Sequence, residues 1–191
     1  MARQAVESAV SDVELALLNG GADLAALVVA ARLRGDGRLG LEGAALIAGQ
    51  PFDTDTTSTA DVSLERELLA RVSDAPGLAA PAVLRSVAHS RAASRMMAEL
   101  TARGLLWPGE KRPTRRGRKL IRHARKDARA LLDSGQRPRL PLQIALFGEA
   151  VLWSADPALA RAARAPLQTL TAEYGYHVAP RNWPNDRYTV A

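Results

Sequence analysis

The chain contains no cysteine and few aromatic residues, and both deficits restrict what it can be. Without cysteine, disulfide bonds, thiolate metal sites and cysteine nucleophiles are excluded. Aromatic residues make up 4% of the 191 residues, whereas hydrophobic residues make up 47%, and much of that share is alanine. An apolar set rich in alanine and leucine favours closely packed helices. The sequence therefore predicts a mainly α-helical fold with a few short strands.

Recognisable active-site motifs are also missing. The three histidines, His89, His123 and His177, lie far apart and do not have the spacing of metal ligands. The sequence has no nucleophile elbow, no phosphate-binding loop and no dinucleotide-binding fingerprint. We therefore expect a non-enzymatic protein that needs no cofactor and no metal.

Long hydrophobic runs are scarce as well. The first residues contain no apolar segment of the kind found in secretory signals. The stretch from Leu140 to Trp153 is apolar but is interrupted by Gln143 and Glu149, and it is too short to span a bilayer. It predicts one buried helix, no membrane span and a cytoplasmic protein.

The net positive charge of the chain is concentrated in one segment. Residues 103–129 contain 11 Lys/Arg against Glu110 and Asp127, a local charge of +9. Because the whole chain carries +6, the remainder is about −3 by the same count. The basic character therefore belongs to one region and not to the protein as a whole.

Capping and turn signals organise the first half of the chain. Residues Ser11–Glu14 fit a capping box, and the helix that follows should stop at Asn19–Gly21. We predict a second helix over Leu24–Leu33, a short strand over Arg38–Leu41 and a further short helix through Leu46. The polar, turn-rich residues 49–59 form the clearest linker.

The second half repeats this order more clearly. Helices are predicted from Ser63, over Ala82–Ala88 and over Arg91–Arg103, followed by a short strand over Leu105–Trp107 and a charged turn. Such an order is typical of a winged helix. The chain is therefore divided into a winged-helix-like unit over 1–50, a linker over 51–62, a second such unit over 63–133, a helical pair over 140–173 and an aromatic tail over 174–191.

A basic amphipathic helix should begin after Thr114 and reach about Leu132. Its cations recur at steps of four and three residues, which places them on one face. They are Arg115, Lys119, Arg122, Lys126 and Arg129, opposite an apolar face of Leu120, Ile121, Ala124, Ala128, Leu131 and Leu132. This face is either a surface for phosphates or acidic peptides, or an ordinary solvated helix face.

Two binding functions fit these features. In the first, a peptide or protein partner lies beside the strand Leu105–Trp107 and adds a strand to its edge, while the neighbouring arginines select acidic partners. The binding residues would be Leu105, Trp107, Lys111, Arg112, Arg115, Arg118, Lys119, Arg122 and Lys126. In the second, a DNA-binding regulator reads bases with Arg91 and Arg95 and contacts the backbone with a wing that contains Lys111 and Arg112.

Several stretches also resemble a known family. They are Glu14–Gly21, Leu64–Leu69, Leu100–Leu106, Thr114–Leu120 and Ile144–Ala158, and they span roughly residues 11 to 165. Together they resemble an uncharacterised actinobacterial family of membrane proteins. The chain departs from it in having no transmembrane pair between Leu106 and Thr114 and no cysteine in its tail, so membrane attachment is not implied.

The resemblance implies a partner. Members of that family are often encoded beside multinuclear iron enzymes that modify ribosomal peptides, which implies a role as substrate or partner in peptide maturation. The repetitive Leu/Ala/Arg helices are also similar, more weakly, to bacterial relatives of the Golgi phosphoprotein-3 fold. That similarity implies binding of anionic lipid headgroups, as a third hypothesis.

Overall fold

A computed structural model describes residues 10–49 and 59–163, which fold into helices and one small antiparallel sheet. The helices are α1 (Asp12–Gly35), α2 (Thr59–Asp74), α3 (Ala80–Ala88), α4 (Arg91–Ala102), α5 (Arg115–Asp133), α6 (Leu140–Phe147), α7 (Glu149–Ala155) and α8 (Pro157–Ala162), and the strands are β1 (Leu39–Glu42) and β2 (Ala45–Ala48). The mainly α-helical class predicted from composition is confirmed.

Helix α1 forms the centre of the core. The capping box is present: the Ser11 hydroxyl accepts from the Glu14 amide, and the Glu14 carboxylate accepts from the Ser11 amide. The predicted stop at Asn19–Gly21 is a kink, since Gly21 has a φ of 77° and the helix resumes after it. By length and composition α1 could cross a bilayer, with a mean hydropathy of 1.6 over 18 residues, but 72% of that window is buried inside the protein. It packs most extensively on α6.

The region after α1 differs from the prediction. The strand near residue 39 is confirmed, but the helix expected through Leu46 is wrong, because residues 45–48 form β2 and pair with β1. The physical reason is the turn at Gly43, whose φ of 61° reverses the chain. Within β2, Leu46 is buried and its neighbour Ile47 is exposed, as expected for consecutive residues of a strand.

The predicted helix over residues 140–153 is interrupted. Gly148, with a φ of 81°, separates α6 from α7, so a single helix over this stretch is wrong. Asp156 caps α8 through the Leu159 amide, as its position before Pro157 predicts. The rest of the helical pair predicted over 140–173 and the whole aromatic tail lie outside the described residues.

Buried side chains from both predicted units and from the helical pair belong to one hydrophobic cluster. The linker predicted over 51–62 lies mostly outside the described residues, and α2 begins at Thr59. Between α2 and α3, Ala79 forms an isolated bridge with Ala45 of β2, and the Ala80 amide donates to the Ala44 carbonyl at 2.8 Å. This contact connects the first hairpin to the second half of the chain.

Candidate binding surface

Helix α5 carries the basic face and is held rigidly at its first turn. The Thr114 hydroxyl accepts from the Gly117 amide at 3.1 Å and donates to the Gly104 carbonyl at 2.8 Å. Gly117 packs so closely that a Cβ there would lie 2.4 Å from the Leu105 carbonyl oxygen. Ile121 is buried further along the helix. One side of α5 is therefore fixed on the body of the protein, as the amphipathic pattern predicts.

The opposite side of α5 is a line of free cations. All five predicted members are exposed, and within residues 10–49 and 59–163 none of them forms an ion pair. We call them the cationic row: Arg115, Lys119, Arg122, Lys126 and Arg129. The row extends about 21 Å along the helix, at 1.5 Å per residue. Most of it, together with Arg116 and His123, lines an open depression of about 860 Å³.

The apolar side of α5 is less complete than its sequence predicts. Leu120 and Ala124 are half-buried against the core, Leu132 is half-buried, and Leu131, predicted on the same apolar face, is 38% exposed. The last turn of α5 and the residues up to 137 are largely exposed. The end of the helix therefore projects beyond the elements that bury its first turns.

The segment from Leu105 to Trp107 differs from the predicted binding strand. It is reduced to one isolated bridge, between Leu106 and Pro113. Leu105 is buried in the core and its amide donates to the Leu100 carbonyl, while the Trp107 amide donates to the Arg112 carbonyl. Because these backbone donors are already used, the segment offers no row of free amides to which a peptide strand could be added.

The turn that follows remains accessible. Trp107 is 52% exposed, and the predicted site residues Lys111 and Arg112 are exposed beside it. Arg118 is also exposed, with its guanidinium 3.5 Å from the Pro113 carbonyl. These cations lie next to the first turn of α5 and extend the positive surface beyond the row.

The predicted DNA-reading residues form a separate group. Arg91 and Arg95 are exposed near the start of α4, which Ser90 caps through the Ala93 amide. Arg116, in the first turn of α5, reaches the Arg103 carbonyl at the opposite end of α4. The 12-residue helix is about 18 Å long, so Arg91 lies far from the start of the cationic row.

Arg125 has a role that the sequence analysis missed. Its guanidinium donates to the Leu146 carbonyl and to the Asn19 side-chain oxygen, both at 2.8 Å. The Asn19 amide group in turn donates to the Ala145 carbonyl at 2.9 Å. The Ala145 and Leu146 carbonyls lie at the end of α6, where the break at Gly148 leaves carbonyls without helical partners. The only sequence signal is that Arg125 departs from the four-and-three spacing of the row.

Burial changes the electrostatics of Arg125. Desolvation, followed by repulsion from Arg129, lowers the pKa of its guanidinium, although the group stays charged at neutral pH. A cation at the C-terminal end of α6 also interacts favourably with the helix dipole. Arg125 is therefore a structural cation and not part of the binding surface.

A second charged cluster joins α1 to α2. Arg32 contacts Asp61 at 3.0 Å and Glu65 at 3.1 Å, with Asp12 at 3.9 Å. Burial opposes the charge of Arg32, but hydrogen bonds and attraction to the two closer carboxylates outweigh it and raise its pKa. Burial also raises the pKa of Asp12, with a further contribution from nearby Asp61. This cluster connects two helices, and Arg38 contacts Glu65 as well.

Candidate metal ligands are not clustered in the part of the chain that the structure describes. No group of three His, Asp or Glu side chains there is placed to hold a metal ion. The His89 ring nitrogen Nδ1 lies 2.8 Å from the Arg85 carbonyl, and His123 is exposed on α5. His177 lies outside the described residues.

The cationic surface is thus the feature from which a function can be inferred. Comparisons of the chain with family models, with curated proteins and with solved structures found no match.

Proposed function

We propose that this protein is a non-enzymatic binding module that holds an acidic peptide or protein against α5. The observation that carries the proposal is the cationic row, five exposed cations without ion pairs among the described residues, on a helix whose other side is anchored. Free cations on a fixed support are the arrangement by which acidic partners are recognised. In this proposal the backbone of residues 105–107 does not bind the partner. The partner is held by the charged side chains, in place of the added strand expected from the sequence.

The proposal includes two winged-helix-like units. In favour of the second unit are the order α2, Ala79, α3 and α4, followed by the turn closed by the bridge between Leu106 and Pro113. In favour of the first are the two parts of α1 followed by the β1–β2 hairpin. Both orders match the helices and wing of that architecture. With the actinobacterial resemblance, this points to a partner in ribosomal peptide maturation, either the precursor peptide or an iron enzyme that modifies it.

The test is a direct comparison of an acidic peptide with duplex DNA. A glutamate-rich peptide of about 20 residues should bind in fluorescence anisotropy at about 50 mM salt and weaken as salt screens the charges. The variant Arg122→Ala with Lys126→Ala should lose about fivefold in affinity, since two exposed ion pairs together contribute on the order of 1 kcal/mol. The control Arg66→Ala with Arg85→Ala removes the same charge from exposed positions outside α5 and should bind like the wild type. Equal losses of affinity in both variants would show that binding depends on the net charge of the protein and not on the cationic row.

Duplex DNA is the second candidate, because Arg91 and Arg95 are exposed at the start of α4. If the protein is a DNA-binding regulator, affinity for random duplex should fall steeply with added salt. Replacing both arginines by alanine should then remove its preference among sequences. Absence of duplex binding at low salt would exclude this candidate, and duplex binding without peptide binding would overturn the first.

A further inference from the structure

The spacing of the cationic row selects the shape of its partner. We infer that the row binds an acidic α-helix whose carboxylates repeat at the same steps of four and three residues, lying antiparallel to α5. This inference rests on the proposed function and adds the partner's conformation and orientation. The row advances by 4, 3, 4 and 3 residues, which is the spacing of one seam of a coiled coil.

A helical partner fits this spacing better than an extended one. The steps of the row average about 5.3 Å along the axis, and a helix with carboxylates at the same spacing keeps this register throughout. Side chains on one face of an extended strand are about 6.7 Å apart, so the mismatch reaches about 4 Å after three steps. An extended acidic peptide therefore pairs with two or three members of the row, whereas a helix pairs with all five.

A DNA duplex fits the same row poorly. The row covers about 21 Å, which corresponds to about six base pairs of a duplex with about ten per turn. Each phosphate strand therefore winds through more than half a turn of the duplex over that length. A straight row of cations cannot follow phosphates that wind away from it. The rigid support of α5 at Gly117 and Ile121 keeps the row straight.

Charges at the two ends of α5 set the orientation. Lys111 and Arg112 add positive charge before the first turn, whereas Asp133 is the next position of the same face after Arg129. The N-terminal end of α5 also carries the positive end of its dipole. The negative C-terminal end of a partner helix is therefore favoured over Arg115, and a basic residue near its N-terminus is favoured opposite Asp133.

The test uses peptides of about 20 residues that have equal composition and equal helicity. The matched peptide places its glutamates at steps of four and three with a lysine near its N-terminus. The scrambled peptide spreads the same residues around the helix, and the reversed peptide carries the lysine near its C-terminus. Since exposed ion pairs each contribute a small amount, five pairs should make the matched peptide about tenfold tighter than the scrambled one. The reversed peptide should bind more weakly than the matched peptide.

A charge-conserving variant supplies the control. Arg122→Ala with Ala70→Arg moves one cation from the row to an exposed position on α2 and keeps the net charge. Four of the five pairs remain, so its preference for the matched peptide should fall from about tenfold to about sixfold. Matched and scrambled peptides binding equally tightly would overturn the helical partner and leave the acidic partner intact. An equally tight reversed peptide would overturn the orientation, and failure of every acidic peptide would overturn the proposed function itself.

Discussion

Arg125 and Arg129 are two arginines of one helix for which the structure predicts opposite consequences. Arg125 donates to Leu146 and Asn19, whereas Arg129 is exposed and has no ion pair among the described residues. Replacing either by methionine removes one positive charge and keeps much of the aliphatic stem. The pair of variants therefore separates a structural cation from a binding cation at equal net charge.

The magnitude follows from the contacts of Arg125. It makes two hydrogen bonds of 2.8 Å as a charged donor, and such bonds contribute about 1.5 to 3 kcal/mol each when fully buried. Arg125 is only half-buried, and the Leu146 carbonyl keeps a weak bond from the Asn19 amide at 3.3 Å. We therefore expect Arg125→Met to lower the free energy of unfolding by about 2 kcal/mol. Arg129→Met should change it by less than about 0.5 kcal/mol.

Urea unfolding followed by circular dichroism measures both values. Arg125→Met should shift the midpoint without changing the denaturant slope, since the folded and unfolded surfaces stay the same. In the peptide assay the order should be reversed, with Arg129→Met weakening the binding of the matched peptide more than Arg125→Met does. Equal unfolding free energies for the two variants would refute the role assigned to Arg125.

Two further predictions concern packing and pH. Gly117→Ala should destabilise the protein by about 2 kcal/mol or more, because its Cβ would meet a backbone carbonyl that cannot move aside. A Cβ at Gly35 meets nothing within 4 Å, so Gly35→Ala should be neutral or slightly stabilising. Thermal unfolding of the two variants checks this, and similar melting temperatures would contradict it. Burial raises the pKa of Glu149, so the folded state holds its proton more tightly than the unfolded state, and this contribution to stability is lost as pH rises through the raised pKa. Glu149→Gln should therefore be at least as stable as the wild type at neutral pH and lose that advantage in acid, and a difference in stability that is constant across pH would count against the assignment.

Much of the local structure could be predicted from the sequence. The capping box at Ser11 and the capping threonine before α5 both lie where the pattern predicts. These signals depend on residues within four positions of each other, so the sequence alone contains them. The placement of the cationic row on one face of α5 follows from the same kind of local periodicity.

The errors have a common physical cause. The helix expected through Leu46 is a strand, and the predicted strand at Leu105–Trp107 has no open edge. In both places a short apolar run fits a helix or a strand equally well, and the outcome depends on which other segment pairs with it. The break at Gly148 depends in the same way on Asn19 and Arg125, which donate to the carbonyls that the break leaves free.

The sequence by itself determined the helical class, the caps and the concentration of positive charge on one face of α5, because each of these depends on neighbouring residues. Only the tertiary structure decided which cations are available for binding. Arg125 contacts Asn19 from 106 positions away, and Arg103 pairs with Glu14 from 89 positions away, so their charge is used inside the fold. The cations of the row meet no such partner among the described residues, because the other side of α5 is the one that the fold buries.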